Sequence, residues 1–138
     1  MNESKAQKIR YENILGEDNL DVSGESLMEY RSYIQENIVL PCELTGREDF
    51  HWEEFYIFGP GDKNKYAELK KTQPSYTDIY TFMSFDDQIE DMDGLMVKVM
   101  RISDRKQFVL PLADLKVINN KSPNHQLVDD YAVWYVTY

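Results

Sequence analysis

Hydrophobic positions change their period along this chain. From Ser26 onward, Leu27, Tyr30, Ile34 and Ile38 fall on one helical stripe, with Glu25, Glu29 and Glu36 on the polar side. Ser26 followed three residues later by Glu29 has the form of a capping box, so the spacing predicts a helix over about 26–37. Beyond it the apolar runs shorten and turn β-like. Ile38–Leu44 reads as a strand that Pro41 confines to an edge or a bend. Phe55–Phe58 reads as a second strand stopped by Gly59-Pro60-Gly61, Tyr66–Lys71 as a short helix carrying Lys70 and Lys71, and Ile79–Ser84 as a third strand. Leu95, Val97 and Val99 alternate within Leu95–Ile102, and Ser103-Asp104-Arg105-Lys106 joins that run to Gln107–Leu110 as a hairpin. Pro111-Leu112-Ala113-Asp114 interrupts as one helical turn before Leu115–Ile118, and Ala132–Thr137 closes the chain as an aromatic strand.

Short strands joined by turns behind one helix predict a mainly β, α+β fold: a small SH3-like antiparallel β-barrel preceded by an N-terminal helix. Residues 1–24 are polar and mixed, with Ile9, Ile14 and Leu15 at helical spacing, and read as a loosely attached lead-in. Residues 25–138 form the single helix-plus-barrel domain. With 42% hydrophobic and 13% aromatic residues in 138, the composition is globular, with enough apolar material for a core. The lone Cys42 excludes an internal disulfide, fits a reducing compartment and reads as a small core residue. No apolar run approaches the length of a membrane span, and the N-terminus lacks a signal-peptide core, so the expectation is a soluble, cytoplasmic protein.

Charge narrows the function classes. The net charge of −10, from 25 acids and 15 bases, argues against nucleic acid and anionic membranes and suits cations or basic partners. The acids concentrate in Phe85-Asp86-Asp87-Gln88-Ile89-Glu90-Asp91-Met92-Asp93-Gly94, which holds five carboxylates within eight residues and no base. Like charges this close repel. On the residues alone the stretch is either a solvated loop or a cation site.

Several segments together point to a known family. Tyr30-Arg31-Ser32-Tyr33-Ile34-Gln35-Glu36-Asn37-Ile38-Val39-Leu40-Pro41 resembles the helix and following Phe-Pro-Phe strand of the small cyanobacterial-type calcium-binding proteins, the CcbP family. Met96-Val97-Lys98-Val99 and Phe108-Val109-Leu110-Pro111-Leu112-Ala113-Asp114-Leu115 are similar to its central hairpin and Val-Pro-Leu-x-x-Leu segment. Asp86 to Asp93 resembles its acidic loop, and Asp129-Asp130-Tyr131-Ala132-Val133-Trp134 its Asp-Trp-x-Tyr-Trp ending. The resemblance implies an SH3-like barrel that binds and buffers calcium through surface acids. The chain departs from the family by retaining only Asp21 and Glu25 of an acidic run before the first helix, and by inserting Glu48 to Pro74.

Calcium takes six to eight oxygens at about 2.3–2.6 Å. Asp86, Asp87, Glu90, Asp91 and Asp93 can supply several of them, Gly94 lets the backbone turn tightly, and Asp129 and Asp130 could approach the same pole, although a turn or cap role suits them equally. The EF-hand pattern is absent, because Ile89 and Met100 occupy its first and twelfth positions. The expected site is therefore open and weak, near 10⁻⁴–10⁻³ M by order of magnitude, with Mg²⁺ as an alternative ion. Two histidines, His51 and His125, and one cysteine are too few for zinc. No phosphate loop, serine elbow or metal-ligand helix is present, so no enzyme is expected. The rival expectation is an interaction module in which aromatics such as Trp52, Phe55, Tyr135 and Tyr138 form a surface and an acidic rim steers a basic protein or peptide.

Overall fold

A computed structural model describes residues 3–90 and 93–138, with the side chains of residues 88–90 outside that description. The elements run α1 (Lys5–Leu15), α2 (Gly24–Asn37), β1 (Glu43–Gly46), α3 (His51–Ile57), α4 (Lys63–Leu69), β2 (Tyr80–Glu90), β3 (Gly94–Arg101), β4 (Gln107–Pro111), a 3-10 turn (Leu112–Asp114), β5 (Leu115–Val117) and α5 (Pro123–Thr137). No helix among the described residues is long and apolar enough to cross a membrane.

The strands form one antiparallel sheet in the order β4-β3-β2-β1-β5. The expected closed barrel is not observed: β4 and β5 are the two edges and do not pair with each other. The sheet is nevertheless strongly curled. A flat five-stranded sheet would hold its edges about 19 Å apart, whereas the four peptide steps from Pro111 to Leu115 reach at most about 14 Å. Bulges in β2 add to the bend. Phe82 pairs with Val99 and Phe85 with Val97, so the extra residue on β2 turns both phenylalanines inward despite their odd spacing. The Leu95, Val97, Val99 alternation holds, and all three are buried.

Three helices close the concave side. Tyr11 of α1, Tyr30 of α2, and Tyr131 and Trp134 of α5 are fully buried, and each of these rings lies within 6.5 Å of another. Two differences from the sequence reading arise here. The N-terminal segment is a helix with a Ser4–Gln7 capping box, and Tyr11 and Leu15 enter the core; the Tyr11 hydroxyl donates to the Asp130 carbonyl at 2.9 Å. Ala132–Thr137 is the end of α5, not a strand, with Pro123 in its first turn and Ser122 accepting from the Asn124 amide. Helical spacing puts Leu127, Tyr131 and Trp134 against the core, where a strand would have turned Trp134 and Tyr135 to opposite faces.

The helix expected at 26–37 begins two residues earlier. Ser23 caps it and Ser26 sits at the third position, each hydroxyl accepting from the other's backbone amide. Phe55–Phe58, read as a strand, lies mostly in α3, because the backbone at residue 53 must turn Glu53 inward.

Candidate functional site

The pairing of β1 with β5 sets the geometry of the most acidic concavity. Gly46 lies opposite Leu115 in that register, so the chain leaving β1 runs past the 3-10 turn, and the Arg47 amide donates to the Asp114 carbonyl at 2.8 Å. Glu48 and Asp49 follow directly and face Asp114 across a cleft of about 460 Å³, which Glu54 and Tyr135 also line. The acidic stretch reaches the same end of the sheet through Asp93. Its neighbour Gly94 has φ +71°, and a side chain there would meet the Tyr131 hydroxyl and the Tyr135 ring at 2.6 and 2.7 Å. Glycine is needed on both counts.

Asp114 has neither a hydrogen-bond donor nor a basic partner for its carboxylate among the described residues. Asp114 is exposed, but the protein around its carboxyl displaces enough water to push its pKa up, and the nearby charges of Asp93 and Glu48 push it further the same way. In the cleft wall Arg47 donates to Asp129 at 2.6 Å and to the Leu115 carbonyl at 3.1 Å, while its buried Nε has no partner among the described residues. His51 stands fully in solvent with Nδ1 3.7 Å from Glu54. The cleft therefore presents hard oxygen donors that repel one another, beside an Arg47 already paired to Asp129.

The sequence-selected acids disperse over the molecule. Asp86 and Asp87 lie within β2, where the register slips between Phe85 and Ile89; the Asp86 carbonyl accepts from Arg31 at 3.4 Å, and the fully exposed Asp87 carboxylate stands 4.0 Å from Arg31. Glu90 ends β2, with its side chain outside the described residues, and Asp91 lies outside them altogether. Asp129 and Asp130 sit in the middle of α5 and are held in ion pairs. Asp130 is 5% exposed and takes Arg10 through Nε at 2.6 Å and Nη2 at 3.0 Å, plus the Gln7 amide at 3.2 Å, which pins α1 to α5. Of those among the seven whose side chains are described, Asp93 is the one whose charge reaches Asp114. Among the described residues, no three Asp, Glu, His or Cys side chains already converge as metal ligands.

Asp114 and Glu48 were not singled out by sequence as ligands. They are far apart in the chain and only strand register joins them. The one signal was Glu48-Asp49, an acidic pair at the start of the insertion.

No family model matches the chain, and no curated protein matches it in sequence. Solved structures do. The crystal structure of CcbP from Anabaena superposes with a TM-score of 0.63 at 13% identity, covering 97% of this chain and 92% of that one. The fold is CcbP-like. A calcium-binding protein in its calcium-binding form gives the same TM-score and identity over 96% and 91% of the two chains. The acidic cleft thus lies on a CcbP-like scaffold, between the chain that leaves β1, the 3-10 turn before β5, and the C-terminal end of α5.

Proposed function

We propose that this protein binds calcium at the cleft between Glu48, Asp93 and Asp114, as a weak, open, exchanging site of the kind that buffers the ion. The observation that carries the reading is the unpartnered Asp114 carboxylate, raised in pKa by desolvation and by Asp93 and Glu48, on a fold shared with a calcium-binding protein. Donor chemistry fits: carboxylates and an exposed loop backbone offer the hard oxygens calcium takes. A divalent ion would relieve the repulsion among these carboxylates, and the side chains would draw in to complete its shell with water. Flexible, irregular donors favour calcium over magnesium, which demands a near-ideal octahedron. The open geometry places the affinity near 10⁻⁴–10⁻³ M by order of magnitude. The reading is of a binding protein, not an enzyme.

Terbium luminescence tests it, because Tyr135 lines the cleft and can sensitise the ion. Terbium should light up on binding and be displaced by calcium. Asp114→Asn should weaken binding by about tenfold, the loss of one charged ligand, while Asp87→Asn on the Arg31 side should leave it nearly unchanged. Equal binding by Asp114→Asn would remove the cleft from the account, and a loss confined to Asp87→Asn would move the site to β2.

A further inference from the structure

The segment from Phe50 to Pro74 has no part in the calcium reading beyond its first turn, and it carries a surface of opposite character. Phe58 is 77% exposed, the most of any large apolar side chain described, and Phe55, one helical turn before it, is 55% exposed. Phe55 begins a continuous aromatic run. Its ring lies 5.1 Å from Tyr56, Tyr56 stacks on Tyr66 at 5.5 Å with the planes 6° apart, and the Lys70 ammonium sits 5.1 Å above Tyr66. Glu53, fully buried beneath this run, fixes Tyr66 through its hydroxyl at 2.9 Å, so the ladder is rigid.

Charge here departs from the rest of the molecule. Residues 50–74 hold four acids and four lysines, so the entire −10 lies elsewhere, and one of the four acids is the buried Glu53. Among the described residues no carboxylate lies within ion-pair distance of Lys63, Lys65 or Lys70; only Lys71 is paired, to Glu68 at 3.4 Å. The β3–β4 turn adds cations to the same end, since the Lys106 ammonium donates to the Lys71 carbonyl at 2.9 Å.

We infer that the α3–α4 face is a docking surface for an acidic protein segment that presents an apolar side chain between its carboxylates. The apolar group covers Phe55 and Phe58, and the acids meet Lys63 and Lys70, which helical spacing puts on the Tyr66 side of α4, the complementarity that speeds encounter and sets orientation. A narrow segment touches this patch alone. A bilayer plane would also press against Glu54, Asp62 and the surrounding acidic body, so a peptide fits and an anionic membrane does not.

Panning the full chain, in EDTA, against displayed random dodecapeptides should enrich sequences in which Asp and Glu flank Leu, Phe or Trp. Binding of an enriched peptide should fall as NaCl rises. It should drop about tenfold or more in Phe58→Ser and in the pair Lys63→Glu/Lys70→Glu, with Phe58 and Lys63 exposed, Lys70 half-buried and circular dichroism confirming the fold. No enrichment, enrichment of basic peptides, unchanged binding in both variants, or capture by phosphatidylserine vesicles in place of peptide would each overturn the assignment.

Discussion

Asp114 sets folding against the proposed binding, and a single substitution can separate the two. Desolvation, then Asp93 and Glu48, hold its pKa above the ordinary 3.8. A carboxyl whose pKa is higher folded than unfolded supports folding fully below its unfolded value, and that support is lost as pH rises through the folded value. At neutral pH the ionised Asp114 therefore opposes the fold. Asp114→Asn should raise the metal-free Tm at pH 7 by roughly 1–3 °C, a modest figure because solvent screens so accessible a group. The gain should shrink as pH is lowered toward 4. Paired thermal scans in EDTA check this, and a variant less stable than the parent at pH 7 would show that Asp114 has a partner after all. Asp104 has the opposite sign. Arg101 holds its carboxyl down to about 2, so that ion pair supports the fold above the usual carboxylate range and fails as pH drops through about 2. Both residues were visible in the sequence, but neither role was, because each depends on a neighbour that only folding supplies.

Among the elements, α3 and α4 are secured by two buried groups of opposite charge. Glu53 accepts from the Phe50 and Tyr76 amides and from the Tyr66 and Ser75 hydroxyls, with no cation among its partners. Arg101, 3% exposed at the end of β3, donates to the Lys70, Lys71 and Gln73 carbonyls and to Asp78 and Asp104. Glu53→Ala strands four donors and should cost about 3 kcal/mol. Its first sign should be faster amide hydrogen exchange across residues 50–74, ahead of the sheet; protection there equal to the parent's would mean that the apolar packing suffices. These anchors explain why α3 was misread. Aromatic, apolar Phe55–Phe58 looks β-like by composition, but a helix is what turns Glu53 to Ser75 and Tyr76 while Trp52 reaches the Pro74 carbonyl at 2.7 Å. α5 was misread for a related reason: Tyr131–Val136 has strand composition, and the apolar faces of α1 and α2 select the helix that buries Tyr131 and Trp134 together.

At the scale of the whole molecule, the proposed site would couple calcium to stability. If an ion binds the folded cleft and not the unfolded chain, calcium at a hundred times its Kd adds about 2.7 kcal/mol. At the proposed affinity that is about 10–100 mM, and Tm should rise on the order of 10 °C. A rise no larger than NaCl gives at matched ionic strength would defeat the site, and EDTA should reverse a genuine one. The charge layout belongs to this scale too: the whole net charge of −10 lies outside residues 50–74, which are neutral overall.

The sequence alone determined the helix at α2, the β3–β4 hairpin with its inward Leu95, Val97 and Val99, the single turn at Leu112–Asp114, the acidity and the kinship in fold with CcbP. These rest on local periodicity and on short runs of residues that carry their own signal. Tertiary structure decided what local pattern cannot hold. It opened the sheet and turned the last aromatic run into a helix. It gave Asp129 and Asp130 to Arg47 and Arg10, and set Asp93 within electrostatic reach of Asp114 and Glu48. A carboxylate becomes a ligand or a structural anchor according to whether folding places a cation beside it, and strand register and helix packing make that choice between residues far apart in the chain.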